Sequence, residues 1–510
     1  MSYAPPGETG PLHKSFEIDR YPPIALAVSL LLLIGGFLFF AILIGRYPLP
    51  YFDEAMYNYP AVSFLKGHGL LYAVSSSAPF GNTLWAYHGP FYPHLQVLVF
   101  RLFGISQEVS RLPNLIAGYS AACLMVWLLW RKRYRFAPLV FVILWLGDRS
   151  TQELQYARMD GLALLMVVFS FIMVNRFYSV PNRRNAFCGA IFGASAVAFH
   201  PGTGLFLILS ASLLCFIAYK RKCLLRTSIS YGAGLAIVTL LVLMCIHFHP
   251  IEALQQLRWH LQDNYLKDST TLQARWIDLI GVLRWSRWFF LALVAFTAIA
   301  ALPIASIELR KLRREGIDSK SFFRLSLTLF AVAGLACLVT KAVYPYYIIY
   351  FSIWPIALLA MEAEQRVLVK RPAVLPIAIA AILFVAWLPS AGWNALRMRE
   401  EVRYRNELKD NYILGRLKES VPPGAEIFGD PLTYMLGAEA NLNFTPAPYV
   451  AEHFRVSQTT WLFLSKKEYA NPTYFFESDV RNRPVVFCSS AFPGAKILEF
   501  GVCLLGPLVK

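Results

Sequence analysis

A chain of 510 residues that is 57% hydrophobic and only 15% charged, with a positive mean hydropathy, is too apolar for a soluble enzyme and far too long for a single helical bundle. These values identify an integral membrane protein. The formal net charge of +17 would point a soluble protein toward nucleic acid, but here the basic residues sit mostly in short loops between apolar runs, where they report topology rather than a polyanion site.

Residues 1–23 form a short N-terminal tail. Ile24 to Gly45 then carries no charge and, at about 1.5 Å of rise per residue, is long enough to cross about 30 Å of hydrocarbon. Lys14 and Arg20 precede it and no convincing small-residue cleavage site follows, so it reads as an uncleaved signal anchor, a secretory signal peptide being the alternative. Further spans are expected near 112–130, 137–147, 161–176, 186–199, 205–219, 227–247, 288–306, 323–340, 347–361 and 373–390. The runs at 137–147 and 186–199 are short, but removing either would move a basic loop to the wrong side. Alternate loops hold the cations: Arg131, Lys132, Arg133 and Arg135; Arg176, Arg183 and Arg184; Lys220, Arg221, Lys222 and Arg226; Arg310, Lys311, Arg313 and Arg314; Arg366, Lys370 and Arg371. The positive-inside rule makes that side cytoplasmic, and the odd number of spans, about eleven, places the N-terminus inside and the C-terminus outside.

The expected fold is therefore mainly α: a polytopic helical bundle over 24–390 with juxtamembrane helices on its outer face and a small extracytoplasmic α/β domain over 391–510. The first outer loop, 47–111, is aromatic and only partly apolar; Phe91 to Phe103 is too short to span and, with Arg101 inside it and Trp85, Tyr87 and Tyr92 nearby, suits headgroup depth. A second long outer loop, 248–287, holds Arg258, His260, Asp263, Lys267 and Arg275. In the tail, Pro422-Pro423-Gly424 opens a stretch where Val485 to Cys488 and Ile497 to Leu504 read as strands. Of eight cysteines only Cys488 and Cys503 fall in this exported tail, where an oxidising compartment permits a disulfide. No period of 20–50 residues points to a repeat architecture.

Ionisable residues are nearly absent from the middles of the spans and gather at their outer ends. Ion-coupled transporters keep carboxylates or broken helices near the midplane; this pattern instead suits an outer-face site for a lipid-borne substrate. Tyr51-Phe52-Asp53-Glu54-Ala55-Met56-Tyr57 puts two carboxylates just beyond the first span, where Asp53 caps a helix over 54–65, serves as a base toward an acceptor hydroxyl, or does both. Thr151 to Asp160 brings Arg158 and Asp160 to the mouth of the third and fourth spans. Headgroup snorkelling explains Arg158, whereas Asp160 at the start of an apolar run binds the sugar or a cation, or caps the span. His200-Pro201-Gly202-Thr203-Gly204 is an outer turn whose amides suit phosphate or form only a hairpin. Lys341 with Tyr344, Tyr346 and Tyr347 offers a cation among phenols, or an interfacial aromatic belt. His88 and His260 are the candidates for a divalent metal, without the i, i+4 spacing of a helical ligand pair.

Taken in order, these landmarks resemble the GT-C glycosyltransferases of the protein O-mannosyltransferase and lipid A aminoarabinose transferase type. The matching segments are Asp53-Glu54, Ala61 to Tyr72 ending in Leu65-Lys66-Gly67-His68-Gly69-Leu70-Leu71-Tyr72, Tyr87-His88-Gly89-Pro90-Phe91-Tyr92, Ser110-Arg111-Leu112-Pro113-Asn114-Leu115, and Tyr346-Tyr347 with Trp354-Pro355. The resemblance covers residues 24–360. It implies an inverting transferase in a bacterial cell membrane, with its site on the outer face and a polyprenyl-phosphate sugar as donor. Asp53 matches the family's catalytic base, and Glu54 shapes the site. His88 and His200 stand where some members carry Lys, which leaves donor phosphate binding to Arg158, Lys341 and the His200 turn, with Asp160, Tyr344, Tyr346 and His88 on the sugar or phosphate. Glycan, lipid and protein remain open as acceptors; a non-enzymatic transporter of lipid-linked sugar or polysaccharide is the alternative class, and an assembly subunit a third.

Overall fold

The computed structural model describes residues 23–45, 48, 52–71, 83–85, 89–259, 280, 283, 286–314, 318–340, 347–368, 385–399, 402, 410–430, 433–446, 456–472, 475–488 and 502–508. Seven of its helices are long and apolar enough to cross a membrane. The first, α1 (Pro23–Leu43), turns Leu31, Ile34, Leu38 and Ile42 outward, as a helix at the lipid boundary does. In contrast, α4 (Gln107–Arg131), α7 (Asp160–Ser179) and α13 (Ser319–Thr340) are the centre of the bundle, each more than half buried. α14 (Ile348–Leu368) is buried among them along most of its length, and around this core stand α8 (Arg183–Phe199), α9 (Gly204–Lys220), α10 (Leu224–Cys245) and α12 (Arg287–Arg314). With no hydrophobic drive between helices in lipid, close backbone packing supplies the contact. A Cβ added to Gly234 would lie 2.6 Å from the Phe187 carbonyl, so α10 approaches α8 as closely as backbones allow.

The short expected span at 137–147 is α5 (Ala137–Leu146), about 15 Å long and less than the hydrocarbon thickness. Neighbours complete both its ends. Glu364 on α14 accepts the amides of Arg135, Phe136 and Ala137 at 2.6–2.8 Å, and at the other end Ser390 and Asn394, from the helical segment 385–399, donate to the Gly147 carbonyl at 3.1 and 3.2 Å. Residues 373–384 of the last expected span lie outside the described residues.

The short helices expected between the first two spans appear where the sequence puts them. α2 (Phe52–Leu65) follows α1, and α3 (Phe91–Phe103) buries Tyr92, Gln96 and Phe100 at a spacing of four while Leu98, Leu102 and Phe103 face out. α11 (Pro250–Trp259) opens the second outer loop, and Gln256 on it donates to the Leu84 carbonyl at 2.7 Å, tying the two loops together.

The tail forms a five-stranded mixed sheet in the order β2-β1-β3-β5-β4. β1 (Glu426–Gly429) pairs in parallel with β2 (Asn443–Pro446) and β3 (Trp461–Ser465), while β5 (Val502–Leu505) runs antiparallel to β3 and to β4 (Val485–Cys488). Cys488 and Cys503 are cross-strand partners and form a disulfide. The domain packs on α2: Tyr59 meets Tyr434 at 5.9 Å between ring centres, Ala55 and Val62 join its core, and Lys66 donates to the Leu442 carbonyl at 2.6 Å.

Asp430, at the end of β1, accepts the Ser465 amide and hydroxyl and the Thr433 amide, yet burial pushes its carboxyl up to about 6 from an ordinary 3.8. A folded-state value above the unfolded one means stability that is complete below pH 3.8 and lost as pH rises through about 6. The tail should therefore be about 2 kcal/mol more stable at pH 4 than at pH 7 on this account, and Asp430→Asn should flatten that dependence. Hydrogen exchange of the β3 amides across this range, corrected for intrinsic rates, checks it.

Candidate active site

The first turn of α2 carries Asp53 and Glu54, where the positive helix end favours both charges. Their environments then diverge. Arg111 on α4 is completely buried and grips Glu54 with a fork, Nε to Oε1 at 2.7 Å and Nη2 to Oε2 at 2.8 Å. Its remaining nitrogen, Nη1, donates to the carbonyls of Ile44 and Pro48 at 2.8 and 2.7 Å, and the Ala157 amide donates to Glu54 Oε1 at 2.7 Å. One ion pair thus joins the end of α1, the start of α2, α4 and the segment before α7.

Asn114, three residues along α4 from Arg111, holds that segment. Its Nδ2 donates to the carbonyls of Leu154 and Tyr156 at 3.1 and 3.0 Å, and its Oδ1 accepts the Gly161 amide. Gly161 is required by contact: an added Cβ would sit 2.4 Å from the Asn114 carbonyl. This close approach delivers Arg158 and Asp160 to α2.

Arg158 lies between two carboxylates. Nη1 donates to Asp53 Oδ2, Nε donates to Asp160 Oδ2 at 2.7 Å, and the guanidinium sits 5.1 Å above the centre of the Tyr57 ring. Asp160 also accepts the Tyr350 hydroxyl at 2.8 Å. Three carboxylates and two guanidiniums leave the cluster with a net charge of −1 when all are ionised. Asp53 alone among the five reaches the surface, with 13% of its side chain exposed against at most 2% for the others. Burial raises its carboxyl above the usual carboxylate range, and Asp160 and Glu54 add to the rise, while Arg158 opposes it.

His200 is buried beside this array, its ring edge-on to Tyr347 and tilted against Tyr350 at 5.2 and 5.5 Å between ring centres and its Nε2 3.9 Å from Asp160 Oδ1. Its Nδ1 accepts the Gly202 amide at 3.0 Å, the Thr203 amide bonds back to the His200 carbonyl, and the Gly204 amide to the Pro201 carbonyl. The turn expected to offer its amides to phosphate therefore uses them internally. Arg158, expected either to snorkel or to bind the donor phosphate, is fully buried and bound to two carboxylates, which rules out snorkelling to the headgroups. The segment after His88 does approach His200. Gly89, at φ +59°, packs so close to the Phe199 carbonyl that an added Cβ would lie 2.0 Å from it.

The structure thus brings together Asp53, Glu54, Arg158, Asp160 and His200. His88, His260, Lys341, Tyr344 and Tyr346 lie outside the described residues. Among the described residues no group of three His, Cys, Asp or Glu side chains is placed to hold a metal ion. Sequence reasoning named Arg111 and Asn114 only as motif landmarks; their spacing of three on one helix was the available signal. It passed over Tyr350, which with Tyr347 and Trp354 makes an inward face at helical spacing.

No protein-family model matches the sequence, and no curated protein matches it. Solved structures do share its architecture. ArnT from Cupriavidus metallidurans bound to undecaprenyl phosphate aligns over 94% of this chain and 97% of its own, with a TM-score of 0.54 at 13% identity. The archaeal oligosaccharyltransferase AglB from Archaeoglobus fulgidus, in complex with an inhibitory peptide and a dolichol-phosphate, aligns over 91% of this chain and 73% of its own, with a TM-score of 0.52 at 13% identity. An A. fulgidus oligosaccharyltransferase complex with Zn and sulfate gives 0.53 at 14% identity over 89% and 70%. The chain has the GT-C fold. The alignment with ArnT extends through the tail, beyond the segments that carry the sequence resemblance. Within this GT-C fold the Asp53 array lies where α2 meets the start of α7, at the bundle end away from the basic loops.

Removing one partner of a buried ion pair leaves the other uncompensated, at a cost of about 3–5 kcal/mol, whereas replacing both by apolar groups costs less. Glu54→Leu and Arg111→Leu should each lower the thermal midpoint in detergent strongly, and the double variant should recover part of the loss. Additive losses would show that the two side chains act independently.

Proposed function

We propose that this chain is a membrane glycosyltransferase that moves a sugar from a polyprenyl-phosphate donor to an acceptor hydroxyl, with inversion at the anomeric carbon. The carrying observation is Asp53: a carboxylate at the edge of a buried charge array, accessible where its four charged neighbours are not. In the reaction the acceptor oxygen bonds to the anomeric carbon as the bond to the phosphate oxygen breaks. The hydroxyl proton passes to Asp53, and the phosphate leaves with the electron pair. Burial makes Asp53 a stronger base than a solvated carboxylate, and the Arg158 charge opposes that rise by favouring the ionised form.

Each remaining group has a role in this reading. Asp160 and Tyr350 position Arg158, so that Arg158 holds Asp53 instead of wandering to the headgroups. Glu54 and Arg111 fix the helix end that presents Asp53. Because Arg158 is engaged by two carboxylates, we assign the charge of the departing phosphate to Lys341, with Tyr344, Tyr346, His88 and His200 lining the donor. The GT-C neighbours support a lipid phosphate as the donor carrier, since one is bound to undecaprenyl phosphate and another to a dolichol-phosphate. The basic-loop pattern supports a site on the extracytoplasmic face of the cell membrane, with the N-terminus inside and the tail over 391–510 outside.

Asp53→Asn should abolish transfer of label from a radiolabelled polyprenyl-phosphate sugar while leaving the thermal midpoint within a few degrees of the parent. Full activity in that variant would remove the proposal. Movement of labelled lipid across a liposome without covalent change would point to a transporter instead. Since the base works ionised, kcat/KM should fall as pH drops through a value above the ordinary carboxylate range. Asp160→Asn should shift that limb by removing a neighbouring negative charge, a readout that loss of folding alone would not give.

A further inference from the structure

The face of the bundle away from Asp53 holds a cavity of about 670 Å³ between the ends of α4, α7, α8 and α13. Along α4 it lies about 30 Å from Arg111, twenty residues of helix away, so it is separate from the candidate active site. Arg131, Lys132, Arg133, Arg176 and Lys320 line it, and no carboxylate does. Among the described residues none of these five makes an ion pair. Asp318, just before the cavity's Ser319, accepts the amides of Lys320 and Ser321 and the Ser321 hydroxyl, and its charge also reaches Lys132.

The basic loops explain cations on this side of the membrane but not their gathering around a concave space. Arg221, Lys222 and Arg226 belong to another loop of the same side and are absent from the cavity wall. Several of the lining cations are also held in place. Lys132 reaches across to the Ser319 carbonyl at 3.1 Å, the Arg131 guanidinium lies 5.1 Å over the Trp127 ring, and the Lys320 ammonium lies 4.2 Å over the Tyr134 ring. The wall changes character with depth. Trp127 and Leu128 sit one turn nearer the bilayer centre than Arg131, and Ile172 one turn nearer than Arg176. Cations at the rim above an apolar floor fit an amphiphile, with its phosphate at the rim and its chain in the hydrocarbon.

We propose that this cavity binds a phosphate-bearing anion, with the headgroup of an anionic phospholipid as the form that fills it best. Basic pockets between transmembrane helices recognise lipid headgroups through this chemistry. The occupant would bridge α4, α7 and α13, and α4 and α7 carry Arg111 and Asp160 at their other ends. The inference does not depend on the reaction at Asp53, and its test reads binding alone.

Full-length protein in neutral detergent, offered equimolar phosphatidylglycerol and phosphatidylcholine, should retain the anionic lipid about tenfold over the neutral one in native mass spectrometry, the selectivity one or two cation–phosphate contacts supply. A triple variant, R131Q/K132Q/R176Q, should reduce that preference to about twofold or less, whereas the matched triple R221Q/K222Q/R226Q should leave it unchanged. Competition with glycerol phosphate separates the sources. Displacement at millimolar concentration supports recognition of phosphate itself, and retention of the lipid supports recognition of the whole amphiphile. Unchanged lipid preference in the cavity triple, or equal loss in both triples, overturns the proposal. Should the triple fail to give monodisperse protein, the exposed single change R176E carries the same expectation.

Discussion

The buried pair of Arg111 and Glu54 is the constraint on which the outer face depends. A guanidinium and a carboxylate removed from water cost several kcal/mol each unless every polar atom finds a partner. Here the partners come from four separate pieces of chain: the two Glu54 oxygens, the carbonyls of Ile44 and Pro48, and the Ala157 amide. Satisfying the pair therefore fixes where α1 stops, how α2 leaves it and where the segment before α7 lies. Asp53, next to Glu54 in the same helical turn, inherits its position from that arrangement. Arg158 inherits its own from Asn114 and from the glycine contact at Gly161.

A second support comes from the tail. Isolated on the membrane surface, a helix of fourteen residues such as α2 is marginal, and Pro60 interrupts its hydrogen bonding. The C-terminal domain covers α2 with Tyr434 and neighbouring apolar residues, so that α2 is packed between the bundle and the sheet. Those contacts give the C-terminal domain a physical role in presenting Asp53, whatever else it does. Asp430 shows the same economy inside the domain, where one buried carboxylate joins the end of β1 to the end of β3.

How far the sequence showed this depended on whether the relevant contact was local. The helices over the seven longest apolar runs and the helix over Phe91–Phe103 were legible because hydropathy acts over short windows. The short α5 was legible only from alternation, since the caps from Glu364 and Asn394 that complete it come from more than two hundred residues away. The Asp53-Glu54 motif stood out, but the division of labour between them did not: the partner of Glu54 is 57 residues distant and that of Asp53 is 105. Arg158 looked like a snorkelling residue because a cation at the membrane edge usually is one, and nothing local announced that two carboxylates would hold it. The His200 turn misled for the opposite reason. Its residue types suit an anion cradle, and only the fold reveals that its amides bond within the turn.

The same helices also explain why the two membrane faces differ in charge. α4 and α7 each present a polar end to one side, Arg111 and Asn114 on one and Asp160 on the other, and a cationic end to the opposite side. At the polar end cations are outnumbered by carboxylates and buried against them, and Asp53 is the one carboxylate of that array that reaches the surface. At the other end the cations are unopposed by lining carboxylates and surround a cavity, which suits them to an anion from outside the protein. A rigid helix 20–25 residues long couples these ends mechanically without bringing their charges within screening distance. The bundle core between them is therefore free to be apolar and closely packed, as the cluster of Phe171, Phe206, Phe330 and Trp354 is, because it carries position from one face to the other and no charge.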